Sequence, residues 1–385
     1  MTRGLSLYLD AVRFGAAFLV LLSHWAYPRF TDGSYLWIRE FNLGSDAVVV
    51  FFVLSGLVIA FAAEKKDKSG GTFVFNRATR LYSVVLPALF LTLVLDRTGA
   101  LLWPDAYAGW WYNPLPVPVY FLSGLSFSNE WGLLGMRLGT NGPFWSLSYE
   151  VAYYALFAAA VYLRGAARIL VIVCLVLLIG FRPLMLLPAW LLGVAVWKTI
   201  AAPGFRMNAG LAWSFALLPV GLYVFSLATD VPAALLASTA DMTSLSETQV
   251  RALFRFSDEF LWNTLLAALV AVNFVGVAAL GRMGSVPDMP DGLRRFLVWG
   301  AGGSFSLYLV HYPLLQFAGP ALKTYDHLPG RDLLLLLLVF ALSMGFAGLF
   351  ERRLRTVRQG ATAVLARLES LRHRLSVRQT PSEGR

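Results

Sequence analysis

Ten stretches of apolar residues run along the chain, at 7–27, 47–63, 80–96, 146–163, 169–181, 183–200, 209–228, 259–280, 296–318 and 332–350, each bounded by charged or turn-forming positions. A helix needs roughly 20 apolar residues to cross the hydrocarbon core of a bilayer, and most of these stretches approach that length. The pattern predicts an all-α, polytopic membrane bundle of about ten transmembrane helices. Arg182-Pro183 turns the chain between two of them as a tight hairpin. A further apolar stretch at 114–128 carries Pro114, Pro116 and Pro118, which disfavour a continuous helix, so it reads as a re-entrant or interfacial piece. The segments 97–145 and 229–258 read as long loops, the first rich in Trp, Tyr, Pro and Gly.

Composition reinforces this reading. Hydrophobic residues make up 58% of the 385 positions and charged residues 14%, against about 45–50% and about 25% in soluble domains. Residues 1–27 read as a retained first helix and not as a cleaved leader, because Asp10 and Arg13 interrupt the start and no small-residue cleavage site follows. The single cysteine, Cys174, lies in an apolar run and cannot form an intramolecular disulfide. The net charge of +10 would suit nucleic acid, but its distribution suits membrane orientation better. With the N-terminus placed in the cytoplasm, 22 of the 32 lysines and arginines fall on the cytoplasmic side, nine of them from Arg352 onward. This asymmetry puts both termini inside. The division expected is a membrane domain over 1–350 and a basic amphipathic tail over 351–385. In that tail Leu354, Leu365, Leu368, Leu371 and Leu375 recur at near-helical spacing, as for a helix lying on an anionic leaflet.

Ionisable residues inside a bilayer are costly and mark function by default. The first helix has three: Asp10, Arg13 and His24. Arg13 and His24 are eleven residues apart, which is close to three full turns, so they share one face about 16 Å apart along the axis. Asp10, three residues before Arg13, can pair with it. The plainer alternative is an Arg13 that snorkels to one interface and a His24 sitting idle at the other. Glu150 lies early in the fourth span and His311 in the outer half of the ninth, so topology brings both to a depth similar to His24. A histidine oriented by a carboxylate can act as a general base toward a hydroxyl. Arg77 and Arg80 are three apart on one helix face, where they either clamp phosphates or simply anchor the helix on the positive side. Phosphate-binding Gly-rich loops, metalloprotease and nucleophile-elbow motifs and zinc-type Cys/His spacings are missing, and no metal is expected.

Five blocks together resemble the acyltransferase 3 family of bacterial membrane O-acyltransferases. LDAVRFGAAFLVLLSHW is similar to that family's first-helix motif of an arginine, ten residues and a histidine, here Arg13 and His24. GSDAVVVFFVLSGLVIA carries Ser55 and Gly56, FVFNRATRLYSVVLP the Arg-x-x-Arg pair Arg77 and Arg80, FWSLSYEVAYYALF the glutamate Glu150, and SFSLYLVHYP a late block with His311. Leu81-Tyr82 departs from the isoleucine and early proline common after the arginine pair. The extracytoplasmic hydrolase-like domain fused to some relatives is absent, which implies that this chain completes transfer itself or works with separate polysaccharide-assembly proteins.

The resemblance implies transfer of an acyl group, acetyl in the first instance, from acetyl-CoA in the cytoplasm to a hydroxyl of a glycan or lipid-linked saccharide in a bacterial inner-membrane setting; O-antigen, exopolysaccharide, a nodulation-type oligosaccharide and a macrolide all fit as acceptor. It gives catalytic roles to His24, Glu150 and Arg13 and donor binding to Arg77, Arg80 and Arg13, with His311, Asp10 and Trp145 toward the substrate. Two other classes stay open: a flippase for a lipid-linked saccharide, and a glycosyltransferase using acidic loop residues such as Asp230, Asp241, Glu247, Asp258 and Glu259.

Overall fold

The computed structural model of the chain describes residues 1–284, 289–325 and 329–378. Among the described residues there is no strand, only two isolated bridges within 113–141. The main helices are α1 (Arg3–Trp25), α2 (Leu43–Lys65), α3 (Gly70–Leu102), α4 (Val117–Ser126), α5 (Trp145–Tyr162), α6 (Gly165–Ile179), α7 (Phe181–Ala201), α8 (Ala209–Ala228), α9 (Val231–Thr243), α10 (Glu247–Phe254), α11 (Phe260–Met283), α12 (Asp291–Ala301), α13 (Ser304–Lys323), α14 (Arg331–Leu349) and α15 (Leu354–Arg378). Among the described residues, seven helical runs are long and apolar enough to cross a membrane: α1, α2, α3, α7, α8, α11 and Arg331–Val364.

The remaining apolar stretches depart from simple spans for physical reasons. The stretch 296–318 is divided into α12 and α13 at Gly302-Gly303. Consecutive glycines weaken a helix, and a Cβ on Gly303 would lie 2.8 Å from Met344 Cε of α14. The new N-terminus of α13 is met by Glu351, whose Oε2 accepts from the Ser306 backbone N–H at 2.8 Å, an anion at the positive end of a helix. The stretch 169–181 becomes α6, 15 residues long, and the first turns of the 18-residue α5 carry the polar Ser146, Ser148 and Glu150. At 1.5 Å per residue the ten residues of α4 extend roughly 15 Å, about half a bilayer core. The expected loop 229–258 contains α9 and α10, the latter begun by a capping box between Ser246 and Gln249. The last seven residues of the expected tail, and the side chains of Leu365, Leu368, Leu371 and Leu375, lie outside the described residues. The tail helix α15 packs along α3, with Arg358 Nε donating to Thr79 Oγ1 at 3.4 Å.

Helix α3 is longer than its apolar stretch. Ser69 caps it by accepting from the Thr72 N–H at 3.2 Å, and the helix then runs through Arg77 and Arg80 before its apolar portion begins. The α2–α7 crossing is the tightest part of the bundle. A Cβ on Gly56 would lie 2.0 Å from the Trp190 carbonyl oxygen, and one on Gly193 would lie 1.9 Å from that of Val53. Small residues let backbones approach this closely in a membrane, where apolar burial gives little drive for association. Polar clasps complete the bundle. Buried Asp46 on α2 accepts from Trp262 Nε1 of α11 and the Tyr223 hydroxyl of α8, both at 2.8 Å.

Gly193→Ala is expected to lower the thermal midpoint of the detergent-solubilised protein, at about 1–3 kcal/mol for overpacking. Gly221, where an added Cβ meets nothing within 4 Å, should tolerate alanine or gain up to about 1 kcal/mol. Equal midpoints for the two variants would contradict the close α2–α7 contact.

Candidate active site

A cavity opens among α1, α2, α3, α5 and α13. Its walls are largely apolar, with Phe51, Phe52, Val58 and Ile59 among them, yet Arg13, Arg77, Arg80 and Glu150 also line it. Three residues spaced along two helices thus converge as their helical periods dictate: Arg13 from α1, and Arg77 and Arg80 from one face of α3.

Cation and anion do not balance here. Arg13 makes no hydrogen bond or ion pair within 4 Å among the described residues. The expected pairing with Asp10 is not formed; Asp10, half-buried, acts on Arg13 only as a longer-range charge, because the guanidinium extends into the cavity instead of folding back along α1. Arg80, exposed at the cavity mouth, likewise has no side-chain partner among the described residues. Arg77 reaches buried Asp67 at 3.4 Å, and its Nε is buried without a partner. Asp67 is already held by Asn76 Nδ2 at 2.6 Å.

Glu150, the one carboxylate lining the cavity, is oriented by neutral groups. Its Oε1 accepts from Ser55 Oγ at 2.6 Å and from the Tyr154 hydroxyl, while Trp190 Nε1 donates to Ser55 Oγ at 3.2 Å. The other oxygen, Oε2, has no hydrogen bond among the described residues. Glu150 therefore belongs with the arginines of the cavity, and the ring that orients His24 is a different one.

That ring is His311, fully buried on α13. His24 Nδ1 and His311 Nε2 are 2.9 Å apart, and His311 Nδ1 is 2.9 Å from the Leu307 carbonyl oxygen. A carbonyl only accepts, so His311 carries its proton on Nδ1. In the neutral ring Nε2 is then an acceptor, and His24 donates to it through Nδ1. The network leaves His24 with an unprotonated Nε2. The two rings stack with centroids 5.0 Å apart, and Tyr312 meets His24 edge-on at 4.9 Å.

Tyr308 stands between the two groups. It lines the arginine cavity, its hydroxyl is 2.6 Å from Ser146 Oγ and donates to the Pro143 carbonyl at 3.0 Å, and its ring lies 6.2 Å from that of His311. The α13 backbone nearby is opened by Pro313, which cannot donate to the carbonyl four residues earlier. That carbonyl, of Leu309, accepts instead from Asn141 Nδ2 at 3.0 Å. Asn141 in turn sits beside Gly139, whose φ of +62° and hypothetical Cβ 2.0 Å from Asp96 Oδ2 admit only glycine. Asp96 ties this loop to α3 by accepting from Thr140 N at 2.8 Å and Thr140 Oγ1 at 2.6 Å.

Of the residues singled out in the sequence, the structure thus groups Arg13, Arg77, Arg80 and Glu150 in the cavity and pairs His24 with His311. Trp145 is taken up in packing, stacked on Phe256 at 4.5 Å and 3°, and Asp10 lies outside the cavity lining. Ser55 was in view only as part of a motif. Tyr154, one helical turn after Glu150, could have been found from its i+4 spacing. Tyr308 and Asn141 carry no such local signal.

The family model described as "Acyltransferase domain" (Acyl_transf_3) matches residues 6–352. Similar proteins include acyltransferase MdmB of Streptomyces mycarofaciens, 35% identical over 153 residues, which is 39% of this chain and 37% of the relative. The O-acetyl transferase of Shigella phage Sf6 is 29% identical over 167 residues, 42% of this chain and 48% of the relative. Exopolysaccharide production protein ExoZ of Rhizobium meliloti (strain 1021) is 25% identical over 141 residues, 35% of this chain and 39% of the relative. The chain spans less than half of each relative's length in these matches. No solved structure matches it.

Asn141→Ala would leave the Leu309 carbonyl buried and unpaired. It is expected to destabilise the protein by about 1–3 kcal/mol, read as a lowered thermal midpoint in detergent; an unchanged midpoint would show that the carbonyl needs no partner.

Proposed function

Since the chain belongs to the acyltransferase 3 family, we propose that it is a multi-pass membrane O-acyltransferase that moves an acyl group, acetyl in the first instance, from acyl-CoA to a hydroxyl of an envelope or secreted glycan. The orientation proposed places the N-terminus and the basic tail in the cytoplasm of a bacterial cell, so the Arg77–Arg80 end of the cavity faces the CoA pool and His24 faces outward.

The observation that carries this reading is the excess of guanidinium groups in an apolar cavity that ends beneath a histidine pair. Arg77 and Arg80 at the mouth suit the phosphates of CoA, which a guanidinium can engage through two parallel hydrogen bonds. Arg13, deeper and without a protein partner, is placed to hold the pantetheine arm as it extends toward His24. Glu150, with one oxygen engaged and one free, fixes the position of the arm beside Ser55.

On the far side of Tyr308, His24 Nε2 accepts the proton of the acceptor hydroxyl as its oxygen attacks the acyl carbon. The C–O bond forms, the C–S bond breaks, and the thiolate leaves with CoA and takes up a proton on the donor side. Direct attack and a transient acyl-His24 both use these same groups. His311 keeps His24 in the tautomer that leaves Nε2 basic, through the carbonyl of Leu307. The names of the phage and Rhizobium relatives, an O-acetyl transferase and an exopolysaccharide production protein, favour acetyl as the donor group and a polysaccharide as the acceptor.

The test is transfer of labelled acetyl from acetyl-CoA to alkali-labile esters in membrane vesicles. His24→Ala should lose about 10²–10⁴ of the rate, the contribution of a positioned base, and Arg77→Ala should raise KM for acetyl-CoA. Failure of the wild type to consume acetyl-CoA with any of a panel of glycans would overturn the donor assignment and favour a carrier of lipid-linked saccharide. His311→Ala should lower kcat by about 10² with little change in the KM for acetyl-CoA, and His311→Gln should recover part of it. A kcat unaffected by His311→Ala would remove the tautomer role.

A further inference from the structure

The His24 end of the bundle is surrounded by a second set of arginines that the transfer chemistry does not use. The charges of Arg29, Arg39 and Arg137 all bear on the His24 ring, which stacks on Tyr27 with ring centroids 6.0 Å apart. Arg29 and Arg39 share the ring of Tyr27, their guanidinium carbons 4.3 and 3.7 Å from its centroid. Arg29 also lies 4.8 Å from the Trp111 ring. Arg137 lies 5.1 Å from the ring of Trp110, a residue 68% exposed.

These arginines are held in place by neutral groups only. Arg29 donates through Nε to Gln316 Oε1 at 3.3 Å and through Nη2 to the Tyr312 hydroxyl. Arg39 Nη1 donates to the Ser23 carbonyl at 2.8 Å. The Arg137 guanidinium has no hydrogen-bond partner among the described residues. None of the three forms an ion pair among the described residues. Other basic residues of this end do: Lys323 and Arg331 share Asp32, Arg251 meets Asp258, and Arg255 meets Glu130. All three are partly buried. Like charges gathered without a counter-ion repel one another and pay for lost hydration, and in the orientation proposed above they lie on the side that membrane proteins normally keep poor in arginine.

Resting on the acyltransferase reading, we propose that the acceptor is an anionic saccharide whose carboxylate or phosphate is bound by Arg29, Arg39 and Arg137 while its sugar rings stack on Tyr27, Trp110 and Trp111. An oxyanion offers the planar, doubly accepting group that guanidinium forks match, and the free donors of Arg137 and Arg39 are available to it. The negative group then anchors the saccharide a short distance from His24 and presents a neighbouring hydroxyl to Nε2. A cationic amino sugar would be repelled from the same place.

The test compares kcat/KM for acetyl transfer in vesicles to four acceptors of one oligosaccharide backbone: neutral, uronate-bearing, phosphate-bearing and amino-bearing. The wild type should favour at least one anionic acceptor over the neutral one by about tenfold, the factor that a charge-assisted contact supplies, should lose that preference as salt is raised, and should handle the amino form worst. Whichever anionic acceptor leads identifies carboxylate or phosphate as the anchor. Arg137→Gln and Arg39→Gln should bring the anionic-to-neutral ratio toward one, and Arg137→Lys should restore part of it. Because the ratio is taken within each variant, loss of folded protein cancels. Transfer with a ratio near one in the wild type, or a preference for the amino form, would overturn this proposal alone. No transfer to any acceptor would overturn the acyltransferase reading and this one with it.

Discussion

A guanidinium group inside an apolar bundle must find a counter-charge, find water or wait for a ligand, and the rest of this structure is arranged around three that find no full complement. Arg13, Arg77 and Arg80 converge on a cavity whose only lining carboxylate among the described residues, Glu150, is already half engaged by Ser55 and Tyr154. Breaking a buried pair leaves an uncompensated charge that costs several kcal/mol; here the imbalance is built in. The close α2–α7 packing through Gly56 and Gly193, and the clasp of Asp46 by Trp262 and Tyr223, hold the walls against the repulsion. A loose bundle would let the arginines splay toward water and remove the site.

Backbone groups obey the same demand. In hydrocarbon no water takes up a carbonyl that a proline has freed. The missing backbone hydrogen bond at Pro313 is therefore tolerable only with Asn141 beside Leu309, and Asn141 is held there by a loop pinned through Asp96, Thr140 and Gly139. The same helix carries Tyr308, His311 and Tyr312. The long connection between α3 and α5 is thus part of the scaffold of the histidine pair.

Much of this was legible in the sequence, and the rest was hidden for definable reasons. Arg13 with His24, and Arg77 with Arg80, could be read because each pair lies in one helix, where spacing fixes the shared face. The partnership of His24 with His311 joins residues 287 positions apart and has no local signature; depth alone suggested Glu150 as readily. Asp10 met the spacing rule for a pair with Arg13, but an i, i+3 relation permits a contact without requiring it, and the cavity drew the guanidinium away. The break between α12 and α13 was announced by Gly302-Gly303 and the helix after Ser246 by its capping box, yet hydropathy smooths over both. Arg29, Arg39 and Arg137 sit in connecting segments where an arginine is ordinarily unremarked, and only their gathering around one imidazole gives them meaning.

The layer formed by Tyr308 and its hydrogen bonds to Ser146 and Pro143 has an electrical consequence. In the proposed reaction the acyl group leaves its bonding electrons with the sulfur, so it crosses that layer carrying the formal charge of an acylium. The proton given up by the acceptor hydroxyl appears on the His24 side, and the one taken up by the departing thiolate is consumed on the other. As long as protons do not recross the layer, each turnover displaces one positive charge across the membrane, so the rate of ester formation becomes a function of voltage, and the cell's energised state enters as a hidden substrate.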